Sequence, residues 1–339
     1  MQFKLYLKKF LLNFPGVKKI SLSLTNDLPR IFMYHRFSED GGIGVGQDSF
    51  SWQLGIIKKK FYPILLSEVF DSSGHKDAQG KPVVAITVDD GYLDFFTIAY
   101  PLLTEHGIPA TFFTTVDFIN QKSWFWFDKL KFVIQKTECE SILISCLEYR
   151  HKLILTDNLS KESAWHSLAD YCLSLPESEK DIFVEIVARY FKVSIPQCPP
   201  VEFSPVSWEQ LSQMSVAGIE IGSHSLSHPV LSALDAGTIM KEILESKEII
   251  EKKLQRQVKT IAYPFGGAKD YNNQVIREVK RSGYSVAVVA HGGLPSLETP
   301  YVLPRLGSSN DKFDFLWKIY GMEYILMIIR LKIAKIRSF

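Results

Sequence analysis

The sequence predicts an α/β protein built on a parallel sheet or barrel. Two observations carry this: short β-branched runs alternate with segments of helical periodicity, and several runs end in acidic or small polar residues. Pro82-Val83-Val84-Ala85-Ile86-Thr87-Val88 reads as a buried strand that stops at Asp89-Asp90-Gly91. Tyr92 to Glu105 carries apolar residues at helical spacing and is closed by Gly107 and Pro109, before a second strand, Ala110-Thr111-Phe112-Phe113. After Ser207 the pattern resumes with a strand at 218–222, a helix over about 235–254, a strand at 260–263, a helix at 272–282 and a strand at 285–289. Residues 124–206 interrupt it. Helical periodicity in 126–136 and 160–191, with a Pro-rich close, predicts a helical insertion, and its opening cluster Trp124-Phe125-Trp126-Phe127 is expected to anchor it by packing. The polar loop Asp71–Lys81 is expected at the surface.

The chain has 339 residues, 46% hydrophobic and 22% charged, which excludes a disordered or fibrous protein. A formal net charge of +2 excludes a nucleic-acid binder defined by bulk charge, and no nucleic-acid partner is expected. Charge is unevenly placed: residues 1–26 carry +5, residues 315–339 carry +4, and the stretch between carries −7. The expected organisation is therefore a basic amphipathic segment at 1–26, a central body at 27–310 with the insertion at about 124–206, and a basic apolar segment at 311–339. The run Tyr324–Ile329 is interrupted by Arg330 and Lys332, short of the roughly 20 residues that span a bilayer. Two such segments at the two ends suit peripheral contact with an anionic membrane, the alternative being ordinary solvated helix faces. The start has no long apolar run or small-residue cleavage site, so a cytoplasmic location is expected, with contact at the inner membrane face. Cys139, Cys146, Cys172 and Cys198 lack C-x-x-C spacing and read as structural free thiols.

Two clusters could carry chemistry. Asp89 and Asp90 sit where a buried strand turns into a loop; they could face one cleft, or one of them could cap the following helix. His224 and His228, in Gly222-Ser223-His224-Ser225-Leu226-Ser227-His228-Pro229, are spaced i and i+4, which puts two imidazoles on one side of a helical turn and favours a metal site. Asp89 or Asp90 is the natural third ligand, leaving a position open for water.

Thr87-Val88-Asp89-Asp90-Gly91-Tyr92 followed by His224-Ser225-Leu226-Ser227-His228-Pro229 resembles the two leading motifs of the polysaccharide deacetylase family, the chitooligosaccharide-deacetylase-like carbohydrate esterases. Met33-Tyr34-His35-Arg36, Ala110-Thr111-Phe112-Phe113, Ala262-Tyr263-Pro264-Phe265-Gly266 and Leu303-Pro304-Arg305 resemble its exopolysaccharide branch, and the matches cover roughly residues 29–310 in consistent order. The resemblance implies a distorted parallel (β/α) barrel and metal-dependent hydrolysis of an N-acetyl group from an amino sugar in a glycan or lipid-linked precursor. It implies that Asp90, His224 and His228 bind a divalent metal, zinc by default and nickel or cobalt with the same ligands. It further implies Asp89 as general base, the backbone N–H of Phe265 as an oxyanion donor, and Tyr92, Tyr263 and Pro264 as substrate-binding residues. The family's arginine before the proline-aromatic pair is absent here, since Ile261-Ala262-Tyr263 occupies that segment, and Arg305 is expected to pair with Asp89 instead. The family's late histidine acid is matched poorly by His291, so His35 is the first choice for general acid and His291 the second. Two other readings stay open: a deacylase of another amide or an O-acyl ester, and a membrane-associated scaffold in glycan assembly that has lost turnover.

Overall fold

The computed structural model describes residues 2–70, 80–122, 124–296 and 298–337, so most of the loop expected at 71–81 lies outside the described residues. The chain forms two compact units, one of residues 1–119 and 206–339 and the other of residues 120–205. The first is a parallel barrel. Its strands are β1 (Arg30–Tyr34), β2 (Tyr62–Ile64), β3 (Val83–Val88), β4 (Thr111–Thr114), β5 (Glu220–Ser223), β6 (Thr260–Ala262), β7 (Val286–Val289), β8 (Leu303–Pro304) and β9 (Leu306–Gly307). The order around the sheet is β8-β7-β6-β5-β4-β3-β1-β9, with β2 also on β3.

The two ends of that order belong to one five-residue segment. Leu303 and Pro304 pair with Val288 and Val289 of β7, and two residues later Leu306 and Gly307 pair with Phe32 and Met33 of β1. The segment changes partner at Arg305 and so closes the ring. Pro304, which has no N–H to give to a ladder, falls where pairing is handed from one neighbour to the other.

Side-chain alternation sorts the strands into two cores. Val84, Ile86 and Val88 of β3, with Phe32 and Tyr34 of β1 and Ile261 and Tyr263 around β6, pack under the surrounding helices. Val83, Ala85, Ile31, Phe113, Ala262, Val286, Val288 and Leu303 fill the barrel interior. Continuing each interior series past the strand end puts His35 after β1, Asp89 after β3, His224 after β5 and Arg305 after Leu303 on the interior side.

The helices start and stop where side chains dictate. Ser207 and Gln210 form a capping box for Trp208–Val216, Asp235 caps Ala236–Met240, Asn272 caps Asn273–Arg281, and Gly107 ends Tyr100–His106 in the left-handed conformation. Four helices come from the chain ends: α1 (Gln2–Asn13), α2 (Pro15–Leu24), α3 (Lys312–Ile319) and α4 (Met322–Arg337). Arg30, wholly buried at the entry of β1, ties them down by donating to the carbonyls of Thr25, Leu28 and Ile319 and to the Thr25 hydroxyl. Gly321, at φ +78°, links α3 to α4 beside this arginine, and a Cβ there would stand 2.1 Å from the Thr25 hydroxyl oxygen.

The second unit departs from a purely helical expectation. Trp126–Lys136, Asn158–Ser174 and Glu177–Tyr190 are helices, the last two separated at Leu175-Pro176, but Ser141–Cys146 and Tyr149–Ile154 form an antiparallel hairpin turned at Leu147. Its faces alternate only weakly between buried and exposed, which is why its sequence gives little strand signal. Within this unit Trp124 packs edge-on against Phe132 and beside Phe203. All four cysteines, each in this unit, are free.

Candidate active site

The Asp89-Asp90-Gly91 turn lets two consecutive carboxylates serve one cleft. In a continuing strand Asp90 would point to the opposite face from Asp89. Instead Asp90 adopts φ +79° and Gly91 φ +104°, which bends the chain. A φ of +104° is strained for any residue with a Cβ, so this corner favours glycine.

Asp89 is buried at 2% exposure and held by Arg305, itself 2% exposed. The guanidinium donates to both Asp89 oxygens at 2.7 Å, to the Thr87 hydroxyl at 3.1 Å and, through Nε, to the Val289 carbonyl at 3.1 Å. The Thr87 hydroxyl in turn donates a hydrogen bond to the Phe32 carbonyl. Burial pushes the Asp89 carboxyl up, but the charge and hydrogen bonds of Arg305, with help from His224 and His35, outweigh it and hold Asp89 below the usual carboxylate range. His35 lies at the rim, its side chain 45% exposed and its Nε2 3.8 Å from Asp89 Oδ2.

Asp90 faces the two histidines. Its Oδ1 is 3.4 Å from His224 Nε2 and 3.5 Å from His228 Nε2, and the three ligand atoms lie within 4.8 Å of one another. Donors about 2.1 Å from a tetrahedral ion stand roughly 3.4 Å apart, so the triad has the spacing of a metal site. The chemistry of the donors fits as well. His224 Nδ1–H donates to the Ala262 carbonyl at 2.8 Å, which fixes the tautomer with the Nε2 lone pair toward Asp90. Burial raises the Asp90 carboxyl, yet the two imidazoles hold it well below the carboxylate range. Burial pulls both histidines down; beside Asp90 and Asp89 it is overcome at His224, which rises, and not at His228, which also feels His224 and falls. The two imidazole rings stand edge to face with centroids 4.8 Å apart.

The histidines do not ride on a helical turn, as their spacing suggested. Ser225 and His228 both take φ +65°, and the segment is an irregular loop. Glu242, buried in the helical stretch after Asp235, holds that loop: its carboxylate accepts the N–H groups of Leu226 and Ser227 at 3.0 and 2.9 Å and the Ser227 hydroxyl at 2.6 Å. Sequence reasoning missed this residue. The available signal is that Glu242 shares a helix stripe with Ile239 and Ser246, the side that packs inward. Of eight non-glycine residues with positive φ among the described residues, four are Asp90, Ser225, His228 and Phe265, so backbone strain is concentrated here.

Phe265 packs its ring edge-on to His228 at 4.8 Å, in a turn completed by Gly266, where a Cβ would meet the Ala290 nitrogen at 2.6 Å. The three residues expected to bind substrate are all buried. Tyr263 is 1% exposed because its position in the strand alternation sends it to the outer core, where its hydroxyl donates to the Tyr301 carbonyl. Tyr92 is 2% exposed, beneath the Arg36 guanidinium and against Phe118, and Pro264 is buried too. His291 stacks on Tyr271 and hydrogen-bonds its hydroxyl, whereas His35 is the histidine placed at Asp89.

A model of the polysaccharide deacetylase family matches residues 76–287, more than half of the chain, and the chain belongs to that family. It is therefore a hydrolase of non-peptide carbon–nitrogen bonds that deacetylates a glycan. YxkH of Bacillus subtilis (strain 168), named for the same family, is 22% identical over 278 residues, covering 81% of this chain and 70% of that protein. Among solved structures, Streptococcus pyogenes deacetylase PplD in complex with acetate aligns with a TM-score of 0.55 at 19% identity over 84% of this chain and 93% of that one. IcaB from Ammonifex degensii aligns with a TM-score of 0.54 at 14% identity, over 87% and 97%. Both share the barrel.

Glu242→Ala leaves two loop N–H groups and a hydroxyl without their acceptor. The expected result is zinc affinity lowered about 10- to 100-fold in a competitive chelator titration, with the barrel still folded; unchanged affinity would show that the loop holds itself.

Proposed function

We propose that the protein is a metal-dependent deacetylase that hydrolyses the N-acetyl group of an amino sugar in a glycan or glycan precursor, free or lipid-linked. The observation that carries this reading is the adjacency of two differently paired carboxylates, Asp89 on a buried guanidinium and Asp90 on two imidazoles, at the strand ends of a polysaccharide-deacetylase barrel. Asp90, His224 and His228 would hold the ion, with zinc the default and nickel or cobalt compatible with the same donors. When bound, a divalent cation supplies Lewis-acid polarisation of the acetamide carbonyl and acidifies the attacking water.

The protein's own groups do the rest. Asp89, ionised because Arg305 outweighs its burial, takes a proton from water as the oxygen attacks the acetamide carbon. The Phe265 N–H donates to the oxygen that gains charge; Pro264 has no N–H, so Phe265 is the first donor in that turn. His35, at the exposed rim, gives a proton to the nitrogen as the carbon–nitrogen bond breaks, and acetate and a free amine leave. Arg305 keeps Asp89 aimed and ionised without touching the substrate, the task the missing family arginine would otherwise perform.

Acetate release from N-acetylated glucosamine oligomers should require zinc, nickel or cobalt, stop on chelation and return with added metal. Faster release from an O-acetylated glycan or a simple acetamide would move the substrate class to an ester or another amide. No turnover by the metal-loaded protein on any of these would favour the scaffold reading. His35→Ala should lower kcat by about 100-fold or more, with bound metal unchanged; the same loss in His291→Ala and none in His35→Ala would transfer the acid role.

A further inference from the structure

The helices at the two chain ends leave an apolar surface that the barrel does not need. Val17, Ile20 and Leu24 follow one another along α2 at spacings of three and four, and Leu326, Ile329 and Ile333 do the same along α4. Leu11, Val17, Ile20, Trp317, Ile325 and Leu326 line one cleft of about 220 Å³ between these helices. Beyond it the stripes stand open: Ile20 is 61% exposed, Leu24 67% and Ile329 46%, and Phe10 and Phe14 stand exposed as an edge-to-face pair.

This surface is held in place. Ser21 donates to the Tyr320 carbonyl, Tyr324 to the Pro29 carbonyl, and Arg30 fastens the carbonyls between them. A fixed patch of this kind needs a partner.

The charges choose the partner. Residues 1–26 contain five lysines and no acid, and α4 contains Arg330, Lys332, Lys335 and Arg337 against Glu323 alone, whose carboxylate accepts the Trp317 indole proton. Lys19, Arg330 and Lys332 are exposed beside the stripes. Lys8 is paired with Asp314, and Lys18 lies over the Tyr320 ring with its side chain half-buried. A second copy of the face would bring like charge against like charge, whereas a surface of phosphate headgroups over acyl chains satisfies both the cations and the apolar stripes. We propose that α2 and α4 together seat the protein on an anionic bilayer, with the stripes in the headgroup–acyl boundary and the lysines and arginines on lipid phosphates. No helix among the described residues is long and apolar enough to cross a membrane, so the seat is peripheral.

Flotation of the full chain with vesicles tests this without reference to catalysis, so its failure would leave the deacetylase reading untouched. Vesicles of phosphatidylcholine mixed with phosphatidylglycerol should carry the protein, vesicles of phosphatidylcholine alone should carry little, and added salt should release it. Lys19→Ala together with Arg330→Ala should weaken partitioning about 30-fold, and Ile20→Ser with Ile329→Ser should abolish it. Both variants should keep the wild-type melting profile and metal content. Equal flotation with both vesicle types, or variants that float like wild type, would overturn the proposal. A concentration-dependent dimer that Ile20→Ser dissociates would overturn it too, by assigning the face to a second copy.

Discussion

The Arg305–Asp89 pair closes the barrel and sets the charge of the site in one place. Arg305 is the residue at which the last sheet segment lets go of β7 and takes up β1. From there its guanidinium reaches Val289 on the neighbouring β7 and, across β1, Thr87 on β3 and Asp89 beyond the end of that strand. A bidentate pair this deeply buried is costly to form, but removing either partner would strand the other charge without water, at about 3–5 kcal/mol. The same contact that stitches the ring therefore keeps a carboxylate ionised inside it. Lysine could not reproduce the fork that grips both oxygens while also reaching Thr87 and Val289.

Around that pair the sequence spends backbone strain to divide labour between adjacent residues. A straight continuation of β3 would separate Asp89 and Asp90 by the width of the sheet. The left-handed turn at Asp90 brings the second carboxylate round to His224 and His228 while the first remains on Arg305. Strained residues recur at Ser225, His228 and Phe265, and the packing that enforces them is visible: Glu242 under the histidine loop and Gly266 against Ala290. Strain held this way fixes the positions of groups that would otherwise be repelled or solvated apart.

Much of this was legible from residues alone, for reasons that can be named. Val83–Val88 is a β-branched run ended by acids and glycine, so its strand and its loaded end were both readable. The i,i+4 histidines announced a shared site, although not the irregular loop that carries them, because left-handed backbone at Ser225 and His228 leaves no mark in residue type. The arginine at 305 was readable as a partner for Asp89, but its part in closing the barrel depends on two pairing registers that a sequence does not display. Glu242 was missed because an acid in an amphipathic helix ordinarily faces water; only its place on the inward stripe sets it apart. Tyr263 shows that a motif does not reveal which side of a strand a residue takes, since strand alternation sends its ring to the outer core.

The account rests on Asp89 and Asp90 having separate tasks despite being neighbours, and comparing Asp89→Asn with Asp90→Asn by zinc content and acetate release tests this most directly. Asparagine keeps the shape of each side chain; Asp89→Asn also leaves the buried Arg305 without its counter-charge and lowers the melting temperature, so both variants are assayed below their melting transitions. The prediction is that Asp89→Asn retains close to wild-type zinc and loses turnover, while Asp90→Asn loses the zinc itself. Equal zinc in both variants, or zinc lost only in Asp89→Asn, would contradict the division of labour and the site built on it.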